Sequence, residues 1–557
     1  MNGQAVIPAT GTAAALNLAW VLLAGFLVFF MQAGFALVET GMVRAKNAAH
    51  TMAMNVVIYG LGTAGFWAVG FALMYGGHAL PLSLGGGSVP GRDVGGLFGT
   101  GGFFLAGAPH DAAGLFALFL FQLMFMDTAA TIPTGALAER WKFSSFVLYG
   151  LFMSTVLYPV YGHWVWGGGW LSRLGANFGL GHGHVDFAGS SVVHMVGGFT
   201  ALVGAWKLGP RLGKYRPDGR PNPLPAHNVP MYMLGTLVLA FGWFGFNAGS
   251  TLAASDANVA RVAVNTVLAS AAGGLASLFA MWKWYGKPDP SFLCNGILAG
   301  LVGVTAPCAY VAPWAAFIIG GAAGLLAVWG AFFLERRLGV DDPVGAISVH
   351  GLGGLWGALA LGLFADGSYA PETHFNGVAG PVAGLFYGSG SQLAAQVIGV
   401  VVNLLWVLPV AYGFFWLIGR LVGNRVSAQT EFVGLDVPEL GALGYVNQDP
   451  KVPESRVVMS LPAEPRPAVA PPNEQKRFAI LVEGVDVERL AEVWSELCQA
   501  GDAPPPPEFR AVYPYMTTLQ GARFRFRGGD PLVIRANLER LLQDRCKGQP
   551  IRIRLEG

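Results

Sequence analysis

Long apolar stretches alternate with short polar or glycine-rich connections as far as residue 419 of the chain. Each stretch has the roughly 20 residues that an α-helix needs to cross a bilayer. We therefore predict eleven transmembrane helices, at residues 13–38, 48–76, 113–137, 143–162, 187–206, 229–249, 262–282, 292–311, 314–334, 344–365 and 391–419. We expect the first to be retained rather than cleaved as a signal peptide, because no basic segment precedes it and it is too long.

The pattern changes after residue 445. Residues 446–475 are rich in proline and glutamate, a composition typical of an extended linker. Residues 476–557 then alternate between strand-like and helix-like patterns. In order, these are RFAILVEG, DVERLAEVWSELCQAG, FRAVYP, ARFRFRGG, DPLVIRANLERLLQDRC and PIRIRLE. The order β-α-β-β-α-β is that of a ferredoxin-like α+β unit. We thus predict an all-α polytopic membrane domain at 1–445, a linker, and a small α+β domain at 476–557.

Composition agrees with this division. The chain is 53% hydrophobic and 12% charged, with a mean hydropathy of +0.50, whereas soluble proteins are about a quarter charged. Of its 34 Lys and Arg residues, 18 lie at or before Arg425 and 16 in the 132 residues that follow. The four cysteines show no C-x-x-C spacing, so we expect neither a disulfide framework nor a zinc site.

The basic residues fall mainly on one side of the predicted topology. If the helices alternate in direction, 15 of the 18 Lys and Arg residues up to Arg425 lie on one side. Only Arg92, Arg173 and Arg261 lie on the other. Loops enriched in Lys and Arg face the cytoplasm, so we predict a cell-membrane protein with an external N-terminus and a cytoplasmic C-terminus.

Two matching phrases place a histidine inside apolar segments. DFAGSSVVHMVGG begins at Asp186 and contains His194, and DDPVGAISVHGLGG begins at Asp341 and contains His350. Both read V-H-x-x-G-G. Their helices are the fifth and the tenth, which run in opposite directions in the predicted topology. This relation indicates an inverted repeat of helices 1–5 and 6–10, an architecture that places transport sites near the bilayer midplane.

Several uses of these histidines can be compared. A lone histidine in a membrane helix is often a packing residue, but two in matching phrases favour a shared functional site. Catalysis is less favoured because no Ser or Cys nucleophile pattern accompanies them, and a metal would need more ligands than two imidazoles. A histidine pair that lines an ion or proton pathway fits best.

Longer motifs resemble those of the ammonium transporter (Amt/Rh/Mep) family across residues 13–445. They are MQAGFALVETGMVRAKN, GALAERWKF, HWVWGGG, DFAGSSVVH, GWFGFNAGS, AGLVGVTAPC, DDPVGAISVHG and GLDVPE. The resemblance implies eleven helices, a homotrimer with one pore in each subunit, no enzymatic activity and no cofactor. It also implies that His194 and His350 form the twin-histidine pair of the pore.

The same resemblance assigns roles to further residues. Phe125, Trp166 and Ser250 would recruit the cation, and Phe125 and Phe246 would be stacked rings that gate the pore. Asp186 would be structural, shaping the outer mouth through its hydrogen bonds. Aromatic faces suit recruitment, since a desolvated cation–π contact contributes about 2 kcal/mol without directional bonding.

The predicted function is transport of ammonium or ammonia by recruitment of the cation, deprotonation and passage along the histidine pair. The sequence leaves open whether NH3, NH3 plus a proton, or NH4+ crosses. The alternative is an ammonium sensor that signals through its C-terminal domain. The resemblance implies a cytoplasmic partner of the P-II signalling type, and nothing indicates nucleic-acid binding. Asp127 departs from the common motif, in which a small uncharged residue is usual, and has no assigned role.

Overall fold

The structure is a computed structural model. It describes residues 11–370, 376–445, 477–486, 488–490, 516–520, 522–527, 530–546 and 551–556. The chain divides into two compact units, Met1–Pro450 and Lys451–Gly557.

Long apolar helices make up most of the first unit. In its described residues, ten helical segments are long and apolar enough to cross a membrane, and an eleventh, Pro290–Thr305, is a shorter apolar helix of 16 residues. In chain order they are α1 Thr12–Met42, α2 Ala45–Tyr75, α3 Ala113–Ala136, α4 Phe143–Val165, α5 Ser190–Leu208, α6 Val229–Thr251, α7 Asn258–Tyr285, α8 Pro290–Thr305, α9 Pro313–Arg337, α10 Ile347–Phe364 and α11 Gly390–Leu421. The chain is therefore a multi-pass membrane protein.

The eighth predicted span differs from the observed helix. The apolar run extends from residue 292 to 311, whereas α8 ends at Thr305. The residues beyond it form turns, in which Tyr310 N bonds to Pro307 O at 2.8 Å. Proline has no amide hydrogen to continue a helix, which explains why the apolar run outlasts the helix.

Small residues bring the helices into backbone contact. A Cβ atom added at Gly235 in α6 would lie 2.7 Å from Gly34 O in α1. Similarly, a Cβ at Gly324 in α9 would lie 2.2 Å from Gly273 O in α7. Membrane helices associate through such close packing because lipid tails provide no hydrophobic driving force between them.

A short two-stranded sheet and a terminal segment complete the first unit. Strands β1 (Arg92–Val94) and β2 (Phe98–Thr100) pair antiparallel in the connection between α2 and α3. After α11 come two short helices, α12 (Ala428–Val433) and α13 (Asp436–Leu440). These pack on the end of the bundle where α1 ends and α2 begins.

Carboxylates of this terminal segment cap two membrane helices. The Asp436 carboxylate accepts hydrogen bonds from the backbone N–H groups of Ala49 (3.1 Å) and His50 (2.8 Å), in the first α-helical turn of α2, which begins at Ala48 after a 3-10 turn at Ala45–Asn47. Glu439 Oε2 accepts one from Phe143 N, the first residue of α4, at 2.9 Å. The first N–H groups of a helix have no partner within it, so the segment satisfies donors that would otherwise stay unpaired.

The second unit contains a small antiparallel sheet. Its strands β3 (Arg477–Glu483), β4 (Met516–Gln520), β5 (Arg523–Arg527) and β6 (Arg552–Glu556) lie in the order β4-β5-β3-β6. Helix α14 (Pro531–Arg545) follows β5, and its Leu538 is buried with Ile480 and Phe526 of the sheet.

Several elements predicted after residue 445 lie outside the described residues. They are the linker at 446–475, the strand at 509–514 and, except for residues 486 and 488–490, the helix at 486–501.

Candidate functional site

A large cavity opens within the membrane unit at the ends of several helices. It has a volume of about 840 Å³ and is lined by Phe121, Phe125, Trp166, Asp186 and Ser250 among others. We call it the vestibule. The predicted recruitment residues Phe125, Trp166 and Ser250 thus share one cavity.

Hydrogen bonds fix the polar atoms of two of these residues. Trp166 Nε1 donates to Asp186 O at 2.6 Å, which holds the indole at the cavity wall. Ser250 Oγ donates to Phe246 O at 2.7 Å, one helical turn earlier. The hydroxyl proton of Ser250 is then occupied, and the lone pairs on its oxygen are what the residue can offer to a cation.

Two stacked rings close the vestibule. Phe125 and Phe246 lie 4.1 Å apart between centroids, with planes inclined by 19°, and both are essentially inaccessible to solvent. Phe125 also makes an edge-to-face contact with Trp166 at 6.0 Å. The three rings therefore form a continuous aromatic path from the cavity into the bundle.

The two histidines follow directly below these rings. His194 stacks on Phe246 at 5.5 Å and on Trp243 at 5.3 Å. Its Nδ1 lies 3.1 Å from Nδ1 of His350, within hydrogen-bond range. A hydrogen bond between two such nitrogens needs an N–H on one and a lone pair on the other. One imidazole therefore carries its hydrogen on Nδ1 and donates it to the unprotonated Nδ1 of the other.

Close backbone packing determines this distance. A Cβ atom at Gly198 in α5 would lie only 2.2 Å from Gly351 N in α10. The two helices can cross there only because the residue has no side chain. Gly198 is the second glycine of the V-H-x-x-G-G phrase, so the small residues beside the histidines allow the rings to meet.

A carboxylate stands at the start of each histidine helix. Asp186 Oδ1 accepts hydrogen bonds from Gly189 N and Ser190 N, both at 2.9 Å. Its Oδ2 accepts them from the N–H groups of Ser191 (2.7 Å) and Val192 (2.9 Å). This carboxylate is engaged by backbone donors at a helix N-terminus, an arrangement that favours a structural role over direct contact with a cation.

Asp342 has the same position before α10, and sequence reasoning missed it. Its Oδ1 accepts from Gly345 N at 3.0 Å and its Oδ2 from Ile347 N at 2.7 Å. Asp186 and Asp342 each precede a histidine by eight residues in the pattern D-x-x-G-x-x-x-x-H. That repeated spacing was the signal that could have identified it.

Below His350 lies a second, much smaller cavity. Its volume is about 20 Å³, and its polar lining residues are Glu39, Asn295 and His350. Glu39 is buried at 2% exposure and accepts hydrogen bonds from Asn55 Nδ2 (2.7 Å) and Thr134 Oγ1 (2.7 Å). Sequence reasoning had not singled out Glu39 or Asn295, although an acid inside a predicted membrane span is itself a functional signal.

Buried ion pairs link the connections between helices at the end of the bundle away from the vestibule. Burial opposes the ionised form of Glu139, but Arg211 and Arg44 outweigh it and lower the pKa of this carboxyl. Burial likewise opposes ionisation of Asp341, whose pKa Arg211 holds well below its usual range. Burial lowers the pKa of Arg140 to about 10, so this guanidinium remains charged at neutral pH.

Asp127 lies apart from the column of rings. It is buried in α3, faces Gly62 of α2, and its Oδ1 has no hydrogen-bond partner among the described residues. Across the described ranges, no group of three or more His, Cys, Asp or Glu side chains is arranged to hold a metal ion.

Comparison with known proteins gives a consistent result. The sequence model of the Ammonium Transporter Family matches residues 19–445. Ammonium transporter Amt2 of Archaeoglobus fulgidus is 47% identical over 437 residues, which cover 78% of this chain and 88% of that protein. Ammonium transporter Amt1 of Haloferax mediterranei is 36% identical over 444 residues, covering 77% and 79%. These relatives are named as transporters rather than enzymes.

Solved structures are similar as well. A structure described as a sensor Amt protein has a TM-score of 0.68 and 36% identity, and the match covers 77% of this chain and 99% of that one. The Mep2 crystal structure from Saccharomyces cerevisiae has a TM-score of 0.63 and 27% identity, covering 74% and 88%.

Proposed function

Because the chain belongs to the ammonium transporter family, we propose that it carries ammonium or ammonia across the membrane through a pore in each subunit. The observation that carries this proposal is the unbroken column of rings from Trp166 through Phe125 and Phe246 to His194 and His350. The column begins in the vestibule and ends at the small cavity.

Recruitment is the first step. Ammonium in the vestibule would exchange water for the faces of Trp166 and Phe125 and for the lone pairs of Ser250. Each desolvated cation–π contact contributes about 2 kcal/mol. This free energy is enough to raise the concentration of ammonium in the vestibule, yet small enough for bound ammonium to dissociate readily.

Deprotonation and passage follow. A bare cation at the centre of a bilayer costs several kcal/mol, so the stacked rings of Phe125 and Phe246 oppose its entry more than that of neutral ammonia. A neutral imidazole both donates and accepts hydrogen bonds, so His194 and His350 would guide ammonia and could take up the proton that ammonium gives up. An ion such as potassium has no proton to give and would be excluded.

We further propose the topology that the sequence predicts: eleven spans, with α8 as the short eighth, an external N-terminus and an inverted repeat of α1–α5 and α6–α10. Support comes from the antiparallel placement of α5 and α10 with matching caps at Asp186 and Asp342. In this topology the vestibule faces outward and the segment after α11 is cytoplasmic. We propose a homotrimer, as the family resemblance implies.

The second unit is the basis of an alternative function. The strand order β4-β5-β3-β6, antiparallel throughout, supports the ferredoxin-like topology that we propose for it. Similarity to a structure described as a sensor Amt protein favours the alternative that the membrane unit signals through this domain. A cytoplasmic partner of the P-II type remains a proposal from the resemblance.

Reconstitution tests the transport proposal. The full chain in proteoliposomes should give a current or flux that depends on an ammonium gradient and is absent with an equal potassium gradient. Folded protein that gives neither would overturn transport. If such a protein still changes the conformation of its C-terminal unit when ammonium is added, the sensor is the better account.

A truncated chain separates the two functions further. Deletion of residues 446–557 should alter the rate of transport or its control and leave selectivity for ammonium over potassium unchanged. Loss of selectivity in the truncated protein, with unchanged thermal unfolding of the membrane unit, would show that the tail helps to build the pore.

A further inference from the structure

We propose that Glu39 is a proton-accepting site on the side of the histidine pair away from the vestibule, an inference that rests on the proposed transport function. Its carboxyl group lines the small cavity that also borders His350. The vestibule and the ring column account for entry of the substrate, but they do not provide a group that takes the proton onward from the histidines.

No positively charged side chain in the described part of the chain compensates the negative charge of an ionised Glu39. Among the described residues, no Lys, Arg or His side chain forms an ion pair with it, and its hydrogen-bond donors are the neutral side chains of Asn55 and Thr134 and the backbone N–H of Gly135. Burial of an unpaired carboxylate is costly, and such a group takes up a proton in response. The charge of Asp342 acts on Glu39, and the Asp342 carboxylate is itself occupied by backbone N–H groups at the start of α10.

The Thr134 hydroxyl can form a hydrogen bond with Glu39 whether the Glu39 carboxyl group is ionised or protonated. Its Oγ1 lies 2.7 Å from Glu39 Oε2 and 2.6 Å from Thr131 O. One hydroxyl carries one hydrogen, so it cannot donate to both acceptors. When Glu39 is ionised, Thr134 donates to it. When Glu39 is protonated, the acid donates to Thr134, which rotates its hydrogen to Thr131 O.

Small residues admit the carboxyl to this position. A Cβ atom at Gly135 would lie 3.0 Å from Glu39 Cγ and 3.1 Å from Glu39 Cδ. Any larger residue there would push the acid away from α3 and from the Thr134 hydroxyl. Gly135 is therefore one of the residues that leave room for the Glu39 side chain.

The small cavity is large enough to link Glu39 to the histidine pair. A water molecule needs roughly 10–15 Å³ of such volume and two to four polar partners. The cavity offers about 20 Å³ and the side chains of Glu39, Asn295 and His350. One water there would join the imidazole of His350 to the carboxyl group.

The proposed transfer balances without any further reactant. A protonated His350 gives its N–H proton to the bridging water while that water gives one of its own to the Glu39 carboxylate. The products are neutral imidazole, unchanged water and a carboxylic acid. Glu39 then returns the proton to ammonia that has passed the histidines, which regenerates the carboxylate and forms ammonium.

The test compares E39Q with D127N in the full-length protein. Gln keeps the size and hydrogen-bonding capacity of Glu39 but cannot carry the proton. Asp127 is a matched control because it is a second buried acid of the same helix bundle and does not line the small cavity. Loss of one proton-transfer group should lower the ammonium-dependent current of E39Q about 100-fold or more. D127N should stay within about twofold of wild type.

A spectroscopic measurement tests the same site without transport. Infrared difference spectra of the full-length protein, taken as the pH is stepped, should contain a band of a buried carboxylic acid that E39Q removes and D127N retains. E39D, which restores a shorter carboxyl group, should recover the band and part of the current.

The outcomes separate this proposal from the transport function. A wild-type protein without ammonium current would contradict the proposed function, while the infrared band would still decide whether Glu39 binds a proton. Unchanged current in folded E39Q would overturn the role of Glu39. An equal loss in D127N would also overturn it, since the effect would then follow from any change of a buried acid.

Discussion

Arg211 binds Asp341 through two parallel hydrogen bonds, from Nε to Oδ2 at 2.8 Å and from Nη2 to Oδ1 at 2.9 Å. Arg211 follows α5, and Asp341 precedes α10. The pair therefore joins the two helices that carry His194 and His350, at the end of the bundle away from the vestibule. Such a two-point contact fixes orientation as well as distance.

Removal of one partner of this pair should destabilise the protein strongly. D341N leaves Arg211 buried with Glu139 as its remaining carboxylate, and breaking a buried pair costs about 3–5 kcal/mol. The exposed Asp218, which pairs with Arg220 on the surface, is a matched control, and D218N should cost less than about 1 kcal/mol. Thermal unfolding in detergent measures both. Equal decreases in the melting temperature of D341N and D218N would show that the buried ion pair contributes no more to stability than the surface pair does.

Acid should remove the same stabilisation in the wild-type protein. The pKa values of Glu139 and Asp341 are both lowered in the folded state. Their contribution is therefore present above the pKa of an unfolded acid, about 4, and is lost as the pH falls further. The melting temperature should drop more steeply below pH 4 in wild type than in D341N. Parallel curves would contradict this assignment.

W166L should weaken recruitment of ammonium. The substitution removes a cation–π contact, so about 1–2 kcal/mol, or roughly 5- to 30-fold in apparent affinity, is the expected loss. W314L, at an exposed tryptophan remote from the vestibule lining, is the control. Concentration dependence of the transport current gives both values. An unchanged apparent affinity in W166L, confirmed in S250A, would move the recruitment site elsewhere.

H350N should reduce the proton-dependent part of transport. Asparagine keeps a hydrogen-bonding group beside His194 but cannot take up a proton, and loss of one such group lowers rates about 100-fold or more. H110N, in an exposed loop, should leave the current unchanged. A current in H350N equal to that of wild type would show that the histidines serve only as a wall of the pore.

D436A should loosen the segment after α11. The carboxylate caps the first turn of α2, and loss of a capping side chain costs about 1 kcal/mol. Limited proteolysis should cut the segment faster, and D436N, which retains an acceptor oxygen, should restore part of the protection. Identical cleavage in all three proteins would show that the cap does not hold the segment in place.

Much of the membrane unit could be anticipated from the chain alone. Apolar length predicted the ten described helices that are long enough to cross a membrane, and the repeated V-H-x-x-G-G phrase singled out the two histidines that lie in contact. The partners of Asp436 could not be anticipated, because backbone N–H groups carry no signature in the sequence. The cavity beside Glu39 also required the fold, since it forms only where residues from α1, α3, α6, α8 and α10 converge.

The unequal cavities on the two sides of the histidine pair have a kinetic consequence. The vestibule holds about 840 Å³ and the small cavity about 20 Å³, so substrate meets a broad reservoir on one face and a single-molecule pocket on the other. Microscopic reversibility requires that equal concentrations of substrate, without a membrane potential, give no net flux. The substrate concentration that gives half-maximal flux need not be equal on the two sides, however. We expect the unidirectional fluxes in the two directions to reach their plateaus at different substrate concentrations.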